Sequence, residues 1–456
     1  MALFMLVTPG VAFAHGRLKS SSPSAGAHLG TVPRELRFEF SEVPELSFSK
    51  VRLLGPGGRT ITLGALAYAA ESKRTVIAAI PGALAAGTYV VEWQLAGDDG
   101  HPVRGRFDFV VAPGAMGATL PELPEPGASA TAMSHDPASM PEGAGFGAES
   151  PAYVVVRWTQ FMALLIVVGA VSFRQFVLAF LRRKEDPDSP LLDVAERRTA
   201  RVARVAVGAL AVTLALRLFA QSYAMHGAGD AWNFVLSLQM VQHTTWGKGW
   251  LLQLAGVVAA GLGFHFAGRA RFAWPLATLG AVMLAFSPAF SGHAAASPKL
   301  PLLAVLADGF HVLAASSWLG SLALVLIAGL PAALQLDEAE RGTMVAALIS
   351  SFSPVALTSA ALAASTGVFA AWLHVGLVPN LWGTRYGVTL LVKLAILGIV
   401  SLTGFYNWRF VKPRLGTTGA TLHLRRSAAM EVVVAVLVLL VTAILVATPT
   451  SMEMEM

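Results

Sequence analysis

Two hydrophobic periodicities divide the chain. Between residues 15 and 112, apolar and polar positions alternate over short runs: Leu36-Arg37-Phe38-Glu39-Phe40, Val51-Arg52-Leu53, Tyr89-Val90-Val91-Glu92-Trp93-Gln94-Leu95 and Arg106-Phe107-Asp108-Phe109-Val110. A period of two is that of a half-buried strand. Turn signals such as Gly55-Pro56-Gly57-Gly58 and Pro81-Gly82 punctuate the runs. Together they predict an all-β sandwich of about seven strands. Tyr89, Val91, Trp93 and Leu95 fall on one face and are expected in its core. Residues 113–150 are rich in Pro, Gly, Ala and Glu without a period, and are expected to be a flexible linker.

From 151 to 448 the pattern changes to long apolar stretches, at 153–181, 203–223, 249–267, 272–290, 302–331, 344–375, 386–408 and 427–447. Each approaches the ~20 residues that a spanning helix needs. The expectation is an all-α polytopic membrane domain of about eight helices, with a Met-rich outer tail at 449–456. Residues 1–14 are short and apolar and end in Ala12-Phe13-Ala14. That pattern reads as a signal peptide cut after Ala14, which would make His15 the first mature residue.

Composition agrees with a membrane protein. The 456 residues are 55% hydrophobic and 13% charged, and this charged fraction is about half that of soluble proteins. The net charge of +6 does not point to nucleic acid, because the basic residues gather in a few loops. Loop 182–204 holds Arg182, Arg183, Lys184, Arg197, Arg198, Arg201 and Arg204, and loop 409–426 holds Arg409, Lys412, Arg414, Arg425 and Arg426. The positive-inside rule assigns these loops to the cytoplasm. The β domain, the linker and the C-terminus then lie on the outer side, as expected of a multi-pass membrane protein. The chain has no cysteine, so disulfides and thiolate metal sites are excluded. It also lacks a Gly-x-x-x-x-Gly-Lys-[Ser/Thr] loop, which argues against an ATP-driven pump. No enzyme is expected, with a membrane reductase activity left open.

The candidate chemistry centres on Asp98-Asp99-Gly100-His101-Pro102. Asp99 and His101 are two apart and project to one side of an extended segment. A terminal His15 adds an α-amino nitrogen and a ring nitrogen. Three nitrogens and one oxygen favour Cu(II) in tetragonal geometry. In the apolar part, Asp308 and His311 are i, i+3 and share a helix face. His293, His226 beside Met225, and His243 collect toward the outer side. Imidazole and thioether ligands suit Cu(I), so these six residues form a candidate copper path through the membrane domain. Lys393 and Glu431 are further intramembrane charges whose partners the sequence does not name.

The first domain resembles the CopC family of periplasmic copper-binding proteins. The resemblance rests on Ser22-Pro23, Phe38-Glu39-Phe40-Ser41-Glu42, Gly87-Thr88-Tyr89-Val90-Val91-Glu92-Trp93 and Asp99-Gly100-His101-Pro102-Val103-Arg104-Gly105. It implies a Greek-key β sandwich that binds Cu(II) through the amine and ring of His15, Asp99 and His101. The apolar part resembles the CopD family of copper-resistance membrane proteins through Thr245-Trp246-Gly247, Ser291-Gly292-His293 and Asp308-Gly309-Phe310-His311 followed by Trp318-Leu319-Gly320. The combined resemblance implies a CopC–CopD fusion that moves copper across the inner membrane, most often inward. The expected partners are copper ion, the lipid bilayer and other copper-handling proteins on the outer side. Two other readings stay open. Paired histidines on neighbouring helices are also axial haem ligands, as in a membrane redox protein; the third reading is a copper sensor or buffer without flux.

Overall fold

The computed structural model describes residues 18–41, 43–97, 102–117, 150–184, 190–290, 300–411 and 418–448. The chain falls into two compact units. The first comprises the N-terminal region and Ser222–Met240; the second holds most of the helices.

The first unit is built on nine strands: β1 Leu18–Ser22, β2 Ala27–Thr31, β3 Glu35–Phe40, β4 Pro44–Leu54, β5 Thr60–Ile61, β6 Ala67–Ala69, β7 Ser72–Ala79, β8 Gly87–Gly97 and β9 Pro102–Met116. They form a four-stranded sheet, β1-β3-β7-β6, and a five-stranded sheet, β2-β9-β8-β4-β5. Alternation puts Leu36, Phe38, Phe40, Tyr89, Val91, Trp93 and Leu95 into one shared core with Phe109 and Val111. Phe40 meets Trp93 edge-on at 5.5 Å between ring centroids, so the two sheets interlock there. Each such side chain contributes roughly 1.5–3 kcal/mol by leaving water. The strand count exceeds the expected seven because β5 and β6 have only two and three residues, too few to show a period.

The helices are α1 Pro151–Lys184, α2 Pro190–His226, α3 Phe234–His243, α4 Thr245–His265, α5 Ala273–Phe290, α6 Pro301–Ala333, α7 Glu338–Val375, α8 Arg385–Tyr406 and α9 Thr418–Leu445. Seven of them (α1, α2 and α5 to α9) are long and apolar enough to cross a membrane. The remaining expected span is α4, whose 21 residues reach about 31 Å. Lys248, Gln253 and its glycines leave α4 without the sustained apolar stretch that the other seven have. Small residues set the helix packing. A side chain at Gly169 of α1 would run into the backbone of Gly320 in α6, and Gly263 of α4 faces the backbone of Ala273 and Ala277 in α5. Close backbone approach of this kind is how helices associate in lipid, where burial of apolar surface supplies no drive. Ser172 and Ser317 hydrogen-bond across the same α1–α6 contact at 2.8 Å.

The helices extend further than hydropathy implies. Arg197, Arg198, Arg201 and Arg204, expected in a loop, lie within α2. A hydropathy window measures the apolar length of a helix, whereas Ala, Glu and Arg are good helix formers whether or not they are in lipid. Glu196 anchors this polar end of α2, accepting from Arg182 Nη2 at 3.0 Å and from Trp274 Nε1 at 2.6 Å.

Candidate functional site

The proposed ligands His15, Asp99 and His101 lie outside the described residues, as does His293. The strands around the first three are described, and their register is informative. β8 and β9 pair antiparallel from Gly87↔Val111 to Ala96↔Pro102, so Asp99 and His101 belong to the connection that closes this hairpin. Pro44 of β4 pairs with Gly97 at the same end. Leu18, three residues after His15, pairs with Phe40, four residues before Pro44. Leu18, Phe40, Pro44, Gly97 and Pro102 therefore lie at one end of the sandwich. Gly105 supports this end: any side chain there would meet the Trp93 ring that lies across it.

Two polar residues beside the connection reach Ser222–Met240, within the same unit. Gln94 and Arg104 are cross-strand neighbours, and Arg104 Nε donates to Gln94 Oε1 at 2.9 Å. Gln94 Nε2 donates to the Met225 carbonyl at 2.7 Å, and Arg104 Nη2 donates to the Ala224 carbonyl at 3.1 Å. These are carbonyls of the last turn of α2, which has no intrahelical donors for them. A guanidinium at the negative end of the helix dipole adds to the capping. Phe48 of β4 packs edge-on against the His226 ring at 6.0 Å. The Ser222 hydroxyl meets His226 Nδ1 at 3.3 Å, while His226 Nε2 is buried and without a hydrogen-bond partner among the described residues. Met225 is only 1% exposed. The His226–Met225 pair thus sits under the β4–β8–β9 face, at the end of α2, with one ring nitrogen uncommitted.

In the helical unit, His311 of α6 turns toward α7. Its Nδ1 is 2.9 Å from the Ala363 carbonyl and 3.2 Å from Thr366 Oγ1. A carbonyl only accepts, and the Thr366 hydroxyl donates to the Leu362 carbonyl at 2.7 Å. Nδ1 therefore carries the proton, and the lone pair of the neutral ring is on Nε2. Metal-ligating histidines are commonly oriented in this way by a carbonyl behind the ring. Gly367 makes room for the imidazole, since a Cβ there would stand 3.2 Å from His311 Cε1. Lys393 of α8 lies within electrostatic range of both Asp308 and His311 of α6. The sequence names no partner for Lys393, because Asp308 lies 85 residues away in another helix.

The other candidates are more dispersed. His243 is exposed at the end of α3. Among the described residues no three His, Asp or Glu side chains converge as a metal site. Glu431 of α9 accepts from Asn407 Nδ2, at the π-helical turn Asn407–Val411 that follows α8. Gln94 and Arg104 are not among the candidates the sequence offers, although their polar side chains on paired β8 and β9 positions next to the Asp99–His101 stretch are a usable signal.

Comparisons with known proteins cover both units. The CopC domain family matches residues 18–112, the Copper resistance protein D-like N-terminal domain matches 148–302, and the Copper resistance protein D family matches 346–445. Copper transport protein CutJ of Bacillus subtilis (strain 168) is 24% identical over 99% of this chain and 77% of its own length. Copper resistance protein C of Escherichia coli is 35% identical over 22% of this chain and 87% of its own. Copper resistance protein D of Pseudomonas syringae pv. tomato is 28% identical over 64% of this chain and 94% of its own. Among solved structures, CopC from Methylosinus trichosporium OB3b aligns over 22% of this chain and 95% of that one, at 30% identity and a TM-score of 0.21. A β-rich first part and a multi-pass helical second part match these families in order, and the chain belongs to the copper transport and resistance family of CopC–CopD fusion proteins.

Proposed function

We propose that this protein captures Cu(II) on the periplasmic side of the inner membrane and passes copper inward through its helices. His15, Asp99 and His101 supply the capture site. His226 and Met225 receive the metal, and His311 with Asp308 and His293 carry it onward. The observation that carries this reading is the capped end of α2. The two residues that hold it, Gln94 and Arg104, flank the 98–101 connection, and Nε2 of His226, the next residue after Met225, is buried and without a hydrogen-bond partner among the described residues. The capture set is rich in nitrogen and oxygen and suits Cu(II), whereas imidazole with thioether suits Cu(I). One electron therefore enters between the two sites, from a periplasmic reductant. The basic residues gathered at one set of helix ends support the orientation through the positive-inside rule, and the likeness to CutJ, a copper transport protein, supports transport. The test is cellular copper content in a host expressing the intact protein, the His311→Ala variant or an empty vector. A rise that the variant removes supports import. Equal content in all three contradicts transport, and a His311-dependent fall contradicts the inward direction.

A further inference from the structure

The helical unit contains a second polar centre, well away from His311 in sequence and built from α1, α2 and α4. Arg157 and Gln160 are i, i+3 on α1 and share a face. Arg217 of α2 donates through Nη1 to Gln253 Oε1 of α4, and Gln160 Nε2 donates to the same oxygen at 3.4 Å. The arginine fixes both amide orientations: Gln253 must turn its oxygen toward the guanidinium, and Gln160 must then turn its nitrogen toward Gln253. This leaves Gln160 Oε1 and Gln253 Nε2 buried without partners among the described residues. Their side chains are almost fully buried, the two residues being 2% and 0% exposed. Two guanidinium groups thus border this amide pair, Arg217 by direct contact with Gln253 and Arg157 from one turn before Gln160 on α1. Arg157 also lies over the Tyr153 ring and donates to the Ala443 carbonyl at 3.1 Å, and Arg217 lies over the Trp246 ring. From Arg157 to the end of α1, from Arg197 to the end of α2 and throughout α4, the sequence has no Asp or Glu.

Holding two guanidinium groups, one of them buried, around an amide pair that leaves one donor and one acceptor unmet is costly in a low-dielectric bundle. One ligand type meets both open amide atoms and suits the cations beside them: an anion with an oxygen for Gln253 Nε2 and the guanidinium groups, and a hydroxyl for Gln160 Oε1. Guanidinium groups select oxyanions by bidentate geometry. The centre lies roughly two turns in from the ends of α1, α2 and α4. We propose that Arg157, Arg217, Gln160 and Gln253 form a binding site for a phosphate oxyanion carrying a hydroxyl, either a phospholipid headgroup or free hydrogen phosphate.

The test uses the full chain, purified and delipidated in an uncharged detergent, with thermal unfolding as the readout. The probes are sodium phosphate, phosphatidylglycerol and phosphatidylcholine, against sodium chloride at matched ionic strength. A rise on the order of 3 °C with phosphatidylglycerol alone identifies the headgroup, and one with phosphate as well identifies the free anion. No rise above the chloride and phosphatidylcholine controls overturns the site. Arg217→Met is expected to abolish the rise. Because that variant can fail to fold, Gln253→Glu provides the second arm. It places a carboxylate beside Arg217, so it is expected to unfold at a higher temperature than the wild type without ligand and to lose the response. A wild-type response retained in Gln253→Glu overturns the proposal.

Discussion

Gln94 Nε2 of β8 donates to the Met225 carbonyl at the end of α2, at 2.7 Å. This contact joins a strand leading to the 98–101 connection with the residue preceding His226. Arg104 reinforces it from β9 through the Ala224 carbonyl. Paired removal, Gln94→Leu with Arg104→Met, should leave Cu(II) affinity unchanged within about twofold and lower copper uptake several-fold. Each lost hydrogen bond is worth only about 1 kcal/mol, so the fold should persist. Competition titration and cellular uptake on the same variant check this; equal uptake would separate the contact from transfer.

The capture site is predicted to be pH-dependent. Protons compete with copper for the imidazoles of His15 and His101 and for the terminal amine, so affinity should fall as pH drops below the ordinary imidazole value of about 6.5. Asp99 protonation should weaken binding further near pH 4. His101→Ala should remove one nitrogen from the Cu(II) electron paramagnetic resonance signal. An affinity that stays flat between pH 7 and 4 would exclude nitrogen ligation.

Gly367 offers a separation of stability from function. Alanine in a helix interior is favoured over glycine by up to about 1 kcal/mol. Its Cβ, however, would press on His311 Cε1 at 3.2 Å. Gly367→Ala should therefore keep or slightly raise thermal stability while reducing copper uptake. Unchanged uptake together with unchanged stability would show that the ring has room to shift and that its position does not matter.

Two glycines should be intolerant for structural reasons. Gly105→Val places a side chain against the Trp93 ring in the sandwich, and Gly169→Leu separates α1 from α6 at Gly320. Overpacking typically costs about 1–3 kcal/mol, and the helix contact has no slack because backbone faces backbone. Lower unfolding temperature and lower membrane yield are the expected readouts.

Much of this architecture is legible in the sequence because the controlling signals are local. Period-two alternation from Tyr89 to Leu95 identifies a core face, and those four residues are buried. Apolar length locates the helices, but it underestimates α2, whose first turns are charged and still helical. The composition of α4 hid its difference from its neighbours, because Lys248 and Gln253 are spread through an otherwise apolar stretch. The partners of functional groups were not legible. The Ala363 carbonyl behind His311, Lys393 near Asp308 and the capped end of α2 depend on which helices and strands meet. That is fixed by packing over tens to hundreds of residues, and residue spacing carries no record of it.

The most direct test of the transfer path is copper-64 accumulation in proteoliposomes loaded with a copper chelator, with Cu(II) and ascorbate supplied outside. The wild type and His226→Ala are compared after confirming that both bind Cu(II) with the same spectrum. The account predicts that His226→Ala falls to within about twofold of protein-free vesicles while its Cu(II) signal is intact. Accumulation equal to the wild type would contradict passage through His226 and separate copper capture from the membrane path proposed for it.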